Sequence, residues 1–455
     1  MEFAIEKTNI YREVQAVFSS GPNPVIFFWR AQIHVKRKNY NVLKVVSVQF
    51  RRNYLNNVFD EIYVDLLLGE GDYIFNIEPF RQDLEITLIK SPLNEVAGSP
   101  NLDEQPETQR YKAISLTPSS AAIESNSVHQ MNIETANRAQ IKTYSFQLMD
   151  KVVEKVRTIS GGGIFRNTSA ALVARTLLTN LSKNLKVENE IAIKGVDLAP
   201  KFVTDVKQHI QVPQHTELTK IPKYLHEAYG IYSSGFWYYL QKGYWYMYPT
   251  YDLTRYNQSS LTLTVINVPA QRMPNIERSY RKTQTQVIVL STGETKFTDQ
   301  AEYKALNEGN AVRFIDADNI TANFVQVEGN KVAASIKENV QECVLDNRIS
   351  TNNIRQSPVQ ITSNVAFEKS RIAARLGSFI QTTWDNARDD LIYPGMPVKY
   401  VYETYNSVHE LLGVVVGAEY FSQLDGENMN STRHTCRSIL TLFVDKNLKI
   451  IPEDR

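Results

Sequence analysis

The sequence predicts an α+β protein with strands gathered at its two ends and helices in its middle. Three observations carry this. The first ninety residues hold short apolar or alternating runs at the spacing of a small barrel or sandwich. The region 143–230 holds apolar positions at helical spacing. The last ninety residues end in two long runs that read as a β-meander. The chain has 455 residues, 42% of them hydrophobic. That supports about two to four domains with sizeable cores.

Segment 1–95 contains "VIFFWRAQIHV" (Val25–Val35), "VLKVVSVQF" (Val42–Phe50), "IYVDLLL" (Ile62–Leu68) and "DLEITLIK" (Asp83–Lys90). In the last run Leu84, Ile86 and Leu88 face one way, Glu85 and Thr87 the other. Segment 96–142 is polar and reads as an extended arm or long loop. Segment 143–255 is an α/β portion. "SFQLMDKVVEKV" predicts a helix on Met149, Val152, Val153 and Val156. Gly161–Gly163 break the chain. A second helix, capped at Thr168, carries Ala174, Leu177, Leu181 and Leu185 on one stripe. The third, "IPKYLHEAYG", has Pro222 in its first turn and Gly230 as a left-handed stop.

The stretch that follows, "FWYYLQKGYWYMYPTYD" (Phe236–Asp252), has nine aromatic residues among 17. It divides into two strand-like runs around Gly243 and reads as a hairpin. Its rings suit a sheet interior, an intersubunit contact or a ligand-stacking surface. Trp237, Tyr239, Trp245 and Tyr248, with Gly230 and Gly243, are the candidate structural or interface residues. Segment 256–365 is β-rich with polar loops. Segment 366–455 begins with a helix candidate, "SRIAARLGSFIQTTW", on Ile372, Leu376, Phe379 and Ile380. The strands "VKYVY", "HELLGVVVGAEYF" and "RHTCRSILTLFVD" follow.

Composition narrows the function. Lys and Arg number 50 and Asp and Glu 49, a formal net charge of +1. Tight phosphate binding needs a basic surplus. No apolar run reaches the ~18 residues of a membrane span, and the first residues show no secretory pattern. Two cysteines, Cys343 and Cys436, give no disulfide framework. No phosphate-binding loop, dinucleotide loop, zinc motif or nucleophile elbow appears. His209, His215 and His226 read as ordinary histidines before ligands. Cys343 with His434 is a conceivable thiol–imidazole pair. Cys436 reads as a small buried hydrophobe. Glu61 with Asp65, or Asp385, Asp389 and Asp390, are the carboxylates a glycosidase would need. The residues point to no catalytic site, no metal and no cofactor.

The order of the pieces resembles the central baseplate hub protein of contractile phage tails and related injection systems. The resemblance rests on "YLNNVFDEIYVDLLLGEGDYIFNIEPFRQDLEITL", on "IPKYLHEAYGIYSSGFWYYLQKGYWYMYPTYDLTRY", and on the closing "YPGMPVKYVY…ELLGVVVGAEYF…RHTCRSILTLFVD". It implies two small antiparallel tube-like β-barrels beside the α/β portion, and assembly as a homotrimeric ring. The second barrel would use Val398–Tyr402, Leu411–Phe421 and Cys436–Val444 with a strand from elsewhere. It implies a virion tail component, assembled in the host cytoplasm, that adapts a six-fold tube to a three-fold spike. The implied partners are the tail tube protein, the central spike protein, baseplate wedge proteins and the tape measure protein. DNA would cross the channel without specific binding. In that frame the hairpin's tyrosine hydroxyls are expected at subunit contacts. A carbohydrate-binding adhesin using Trp237, Trp245 and Tyr248 is the alternative, and a hub with cell-wall hydrolase activity is another.

Overall fold

Inward-facing Val48 and Phe50, and then Ile62, Val64, Leu66 and Leu68, are buried, while their sequence neighbours are more exposed. This period of two is what builds the first sheet. A computed structural model describes residues 4–19, 26–93, 106–116, 141–187, 190–268, 279–298, 311–316, 340–345, 370, 373–374, 376–404, 407–425, 433–447 and 449–452.

The first unit contains β1 (Ile26–Val35), β2 (Lys38–Asn41), β3 (Lys44–Asn53), β4 (Glu61–Gly69), β5 (Leu84–Leu93), β6 (Glu107–Ser115) and β7 (Ile141–Asp150). A helical connector, 70–83, joins β4 to β5. The first sheet therefore does not stop at residue 95. Two of its strands lie within or beyond the segment expected to be an arm, because Tyr111, Ala113, Tyr144, Phe146 and Leu148 complete its core. The rest of that arm lies outside the described residues. An N-terminal helix, α1 (Ile10–Phe18), was not expected. It packs Ile10, Val14 and Val17 against Ile266, Ile288, Leu290 and Val401, residues of the second unit.

The α/β portion contains α2 (Lys151–Arg157), β8 (Ser160–Thr168), α3 (Ala170–Ser182), β9 (Lys186–Val187), β10 (Glu190–Ile191), β11 (Gly195–Leu198), β12 (Lys207–Glu217), α4 (Ile221–Tyr229), β13 (Trp237–Gln241) and β14 (Tyr244–Tyr248). Three expectations need correction here. The helix expected from residue 145 is strand as far as Asp150, whose carboxylate then accepts the Val152 N–H at 2.7 Å and starts α2. Gly161–Gly163 lie inside β8, where a side chain on Gly162 would meet the backbone of Pro213 on β12. Ser169, not Thr168, is the residue before α3.

The second unit contains β15 (Thr262–Asn267), β16 (Tyr280–Lys282), β17 (Gln286–Thr298), β20 (Gly377–Asp385), β21 (Pro397–Thr404), β22 (Ser407–Leu424), β23 (His434–Asp445) and β24 (Lys449–Ile451), while β18 (Ala311–Asp316) and β19 (Val340–Leu345) pair with each other in a separate sheet. The helix expected at "SRIAARLGSFIQTTW" is β20 from Gly377 on. Ile380, Thr382 and Trp384 are buried at a period of two, and they pair with Leu442, Leu440 and Ser438 of β23. Strands β15, β17, β20, β23, β22 and β21 form a closed six-stranded barrel. It is not wholly antiparallel, since β15 runs parallel to both its neighbours. The first unit is likewise six strands round, but among the described residues no ladder joins β1 to β3. The long strand β22 lies at that seam. It pairs with β3 over Gly417–Gln423, and its Ser422 Oγ accepts the Trp29 indole N–H of β1 at 3.0 Å.

Numbered one to six in chain order, the strands are β1, β3, β4, β5, β6, β7 in the first unit and β15, β17, β20, β21, β22, β23 in the second. Round each unit the order is the same, 1-4-5-6-3-2. Strands two to six also keep the same relative directions, each antiparallel to its neighbour. Only strand one differs: β1 is antiparallel to β5, whereas β15 is parallel to β21. The chain thus holds one strand order twice, with strand one reversed between the two units.

Candidate functional site

The two units and the α/β portion meet at one buried polar cluster. Arg52 is the next inward position of β3 after Val48 and Phe50. Lys90 is the next inward position of β5 after Leu84, Ile86 and Leu88. Each is 3% exposed. The loop between β20 and β21 brings Asp389, 8% exposed, between them. Its Oδ1 lies 2.6 Å from Lys90 Nζ, and its carbonyl accepts from Arg52 Nη1 at 2.7 Å. Arg52 Nε donates to Asp60 Oδ2 at 2.9 Å, and the Tyr239 hydroxyl donates to Asp60 Oδ1 at 2.8 Å. One connected set of charges therefore joins β3, β5, the second unit and the aromatic hairpin.

Burial alone would raise the Asp389 carboxyl pKa. Lys90 and Arg52 outweigh it and hold the group below the usual carboxylate range. Burial opposes the charge on Arg52 as well, and Asp60 restores it. A cavity of about 100 Å³ opens beside the cluster, lined in part by Trp29, Gln109, Asp150 and Gln241. Buried ion pairs of this kind fix geometry more than they add stability. The chemistry of the set suits a rigid joint.

The aromatic hairpin sits on that joint. β13 and β14 pair with a two-residue turn, Lys242–Gly243, both at positive φ (50° and 80°). That is the backbone of a primed hairpin turn. Tyr239, Trp245 and Tyr248 are at most 2% exposed. Tyr248 donates to the Tyr54 carbonyl at 2.8 Å and Trp237 to the Asn57 carbonyl at 2.6 Å. Tyr238 donates to the Thr219 carbonyl. These groups find their partners within the chain, not across a subunit contact. Rings this buried also form no sugar platform, which corrects the expectation for Trp245 and Tyr248. Gly230 ends α4 at φ 80°. A Cβ on Gly243 would lie 2.8 Å from the Ala192 carbonyl oxygen. Alanine at either position is expected to lower stability by roughly 1 kcal/mol or more. Thermal melts of Gly230→Ala and Gly243→Ala check this, and two unchanged midpoints would contradict it.

His226 is buried in α4 and accepts the Ile231 N–H on Nδ1 at 3.2 Å. Burial lowers its pKa to about 4. The unfolded chain therefore binds this proton more readily than the folded one, and stability should fall as the pH drops from about 6.5 towards 4. His226→Asn keeps an acceptor and should flatten that limb in urea midpoints measured across the window. An unchanged slope would refute it.

The remaining candidates are dispersed. Asp385 accepts from Arg437 Nε at 2.7 Å and from the Thr292 hydroxyl at 3.0 Å. Asp390 is held by Arg388. Asp65 accepts from Ser47 and Ser145, and Glu61 from Asn57. The Cys436 thiol, its pKa pushed up by burial, accepts from the Tyr420 hydroxyl at 2.9 Å. His434 Nε2 lies 3.0 Å from the Val45 carbonyl. The side chain of Cys343 lies outside the described residues, and with it the pair proposed with His434. Among the described residues no group of three His, Cys, Asp or Glu could hold a metal ion, and no helix is long and apolar enough to cross a membrane.

No protein-family model matches the chain, and no curated protein matches it by sequence. Solved structures do. The chain is similar to a tail protein from Neisseria meningitidis MC58, at 11% identity over 91% of this chain and 96% of that one, with a TM-score of 0.43. It is similar to the 43 kDa tail protein of prophage MuSo2 from Shewanella oneidensis, at 10% identity over 91% and 98%, TM-score 0.44. A third is an E. coli type VI secretion component described as structurally similar to the bacteriophage T4 tail proteins gp27 and gp5, at 9% identity over 92% and 80%, TM-score 0.41. Two of the three are described as tail proteins and the third as a secretion-system component.

Proposed function

We propose that this chain is a structural hub of a contractile tail baseplate, adapting a six-fold tail tube to a three-fold central spike. The observation that carries the reading is the repeated strand order. Two six-stranded units in one chain let three chains offer six similar docking surfaces. A symmetric assembly can then satisfy every tube contact. Its partners in this reading are two further copies, the tail tube protein, the central spike protein, wedge proteins and the tape measure protein. DNA passes through the ring without specific contacts, in keeping with a net charge of +1. The role is non-enzymatic, and its place is the virion tail.

The test is a deletion of the coding sequence followed by negative-stain microscopy. Loss of assembled baseplates, restored by the wild-type chain, supports the reading. Intact, sheathed tails without the chain would refute it. Peptidoglycan zymography of the purified protein should show no clearing.

A further inference from the structure

We infer that an extended, acidic segment of a partner protein adds as a third strand to the open edge of β8. This goes beyond the hub reading and does not depend on it. Strands β8 and β12 form a two-stranded sheet of their own. Its inner face packs on the core. Phe165 lies there opposite Ile210, and Ile210 and Val212 are at most 2% exposed. Its two edges differ. On the far side of β12 the Gln211 N–H donates to the Tyr229 hydroxyl at 3.0 Å, and the Tyr224 hydroxyl donates to the Gln211 carbonyl at 3.1 Å. Helix α4 thus closes that edge.

The same two bonds fix the direction of the opposite strand. Gln211 turns both its backbone groups away from β8, so it forms a non-hydrogen-bonded pair with Ile164. Ile164 therefore turns its own N–H and C=O away from β12. By alternation Arg166, two residues on, does the same. Among the described residues no second ladder and no side chain takes these four groups. Such an edge is a template for another strand.

The side chains beside the edge decide what that strand carries. Ile164 is apolar, yet 67% exposed. On the same outward face Arg166 stands opposite His209, and Thr168 opposite Lys207. Among the described residues neither Arg166 nor Lys207 has an ion pair, and Asp205, two positions before Lys207, makes none with it. The only carboxylate in the two strands, Glu217, lies at the far end and accepts from Lys220 at 2.8 Å. An added strand places residues two apart beside Ile164 and Arg166. The fitting partner therefore alternates an apolar residue with Asp or Glu along one face. A nucleic-acid backbone would meet the same cations, but it offers no donors to the two open carbonyls.

The test is fluorescence anisotropy of the purified chain with a labelled peptide of repeating Thr-Glu-Thr-Val, which sets Glu and Val on one face of a strand. The same peptide with Lys for Glu, and a DNA duplex, are the comparison ligands. Arg166→Glu, at an exposed position, should weaken binding of the glutamate peptide by about tenfold. Ile164→Pro removes an open-side N–H but no β12 bond, a change that an edge strand tolerates. It should bind about tenfold more weakly than Ile164→Ala. The inference is overturned if the glutamate peptide does not bind, if the lysine peptide binds as well, or if Arg166→Glu binds undiminished. Equal binding by folded Ile164→Pro and Ile164→Ala also overturns it. If Ile164→Pro melts far below wild type, the Arg166→Glu and lysine-peptide arms decide. Duplex DNA that binds more tightly than the peptide, and is released by Arg166→Glu, would assign the ribbon to phosphate instead.

Discussion

Asp389→Ala is expected to destabilise the protein by about 3–5 kcal/mol, the cost of leaving a buried charge without its partner. Lys90 is 3% exposed, and its ammonium would keep the rings of Phe27 and Trp29, 4.3 and 6.0 Å from their centroids, and the weaker attraction of Asp390 and Glu107. Cation–π attraction returns only ~0.5–2 kcal/mol of that. The double variant Asp389→Leu with Lys90→Met removes both charges and should recover much of the loss. The pH dependence follows from the same geometry. The folded state holds the Asp389 carboxyl below its ordinary pKa. Its contribution is therefore complete above pH ~4 and is lost as the pH falls further. Chemical denaturation at pH 7 and at pH 3 should show a smaller difference between wild type and Asp389→Ala at the lower pH. An equal difference would show that the charge is not what Asp389 contributes. This limb lies below the His226 window, so the two are separable by their variants.

Trp245→Ala is expected to cost about 3–5 kcal/mol as well, through a cavity at the centre of the joint. Trp245 is fully buried against Phe59 and Tyr238, with ring centroids 6.1 and 6.4 Å away. Its indole N–H has no hydrogen-bond partner among the described residues. Trp245→Phe should therefore cost well under half as much, since it keeps a ring and removes an unpaired donor. Urea midpoints of both variants check this. Equal losses would mean that the indole nitrogen, not the ring, matters.

Much of this was legible where one physical rule acts alone. Leu84, Ile86 and Leu88 alternate, and β5 is a strand. Gly243 follows a lysine between two aromatic runs, and the turn is there. The rule failed where two patterns abut. Tyr144, Phe146 and Leu148 alternate, then Val152, Val153 and Val156 follow helical spacing, so one window averaged a strand with a helix. At β20, Ile372, Leu376, Phe379 and Ile380 mimic a helical stripe, but Gly377 begins a strand set by its pairing to β23. Long-range pairing leaves no local mark, and for that reason β6, β7 and the shared strand order were not visible.

The joint itself did leave a mark. Arg52 and Lys90 each occupy an inward position at the end of an apolar alternation. A charge at such a position implies a buried partner, though nothing local identifies Asp389, 299 positions from Lys90. The hairpin's rings were correctly grouped but assigned a neighbour they do not need. Their polar tips are taken up by backbone carbonyls and Asp60 in the same chain.

The repeated strand order is the central claim, and a three-dimensional reconstruction of the isolated tail tip by electron microscopy tests it most directly. The account predicts three copies of this chain in a ring whose six-stranded units alternate between first and second, each seated under one tube subunit. A ring in which only one unit of each copy meets the tube, or a tail tip without this chain, would contradict it.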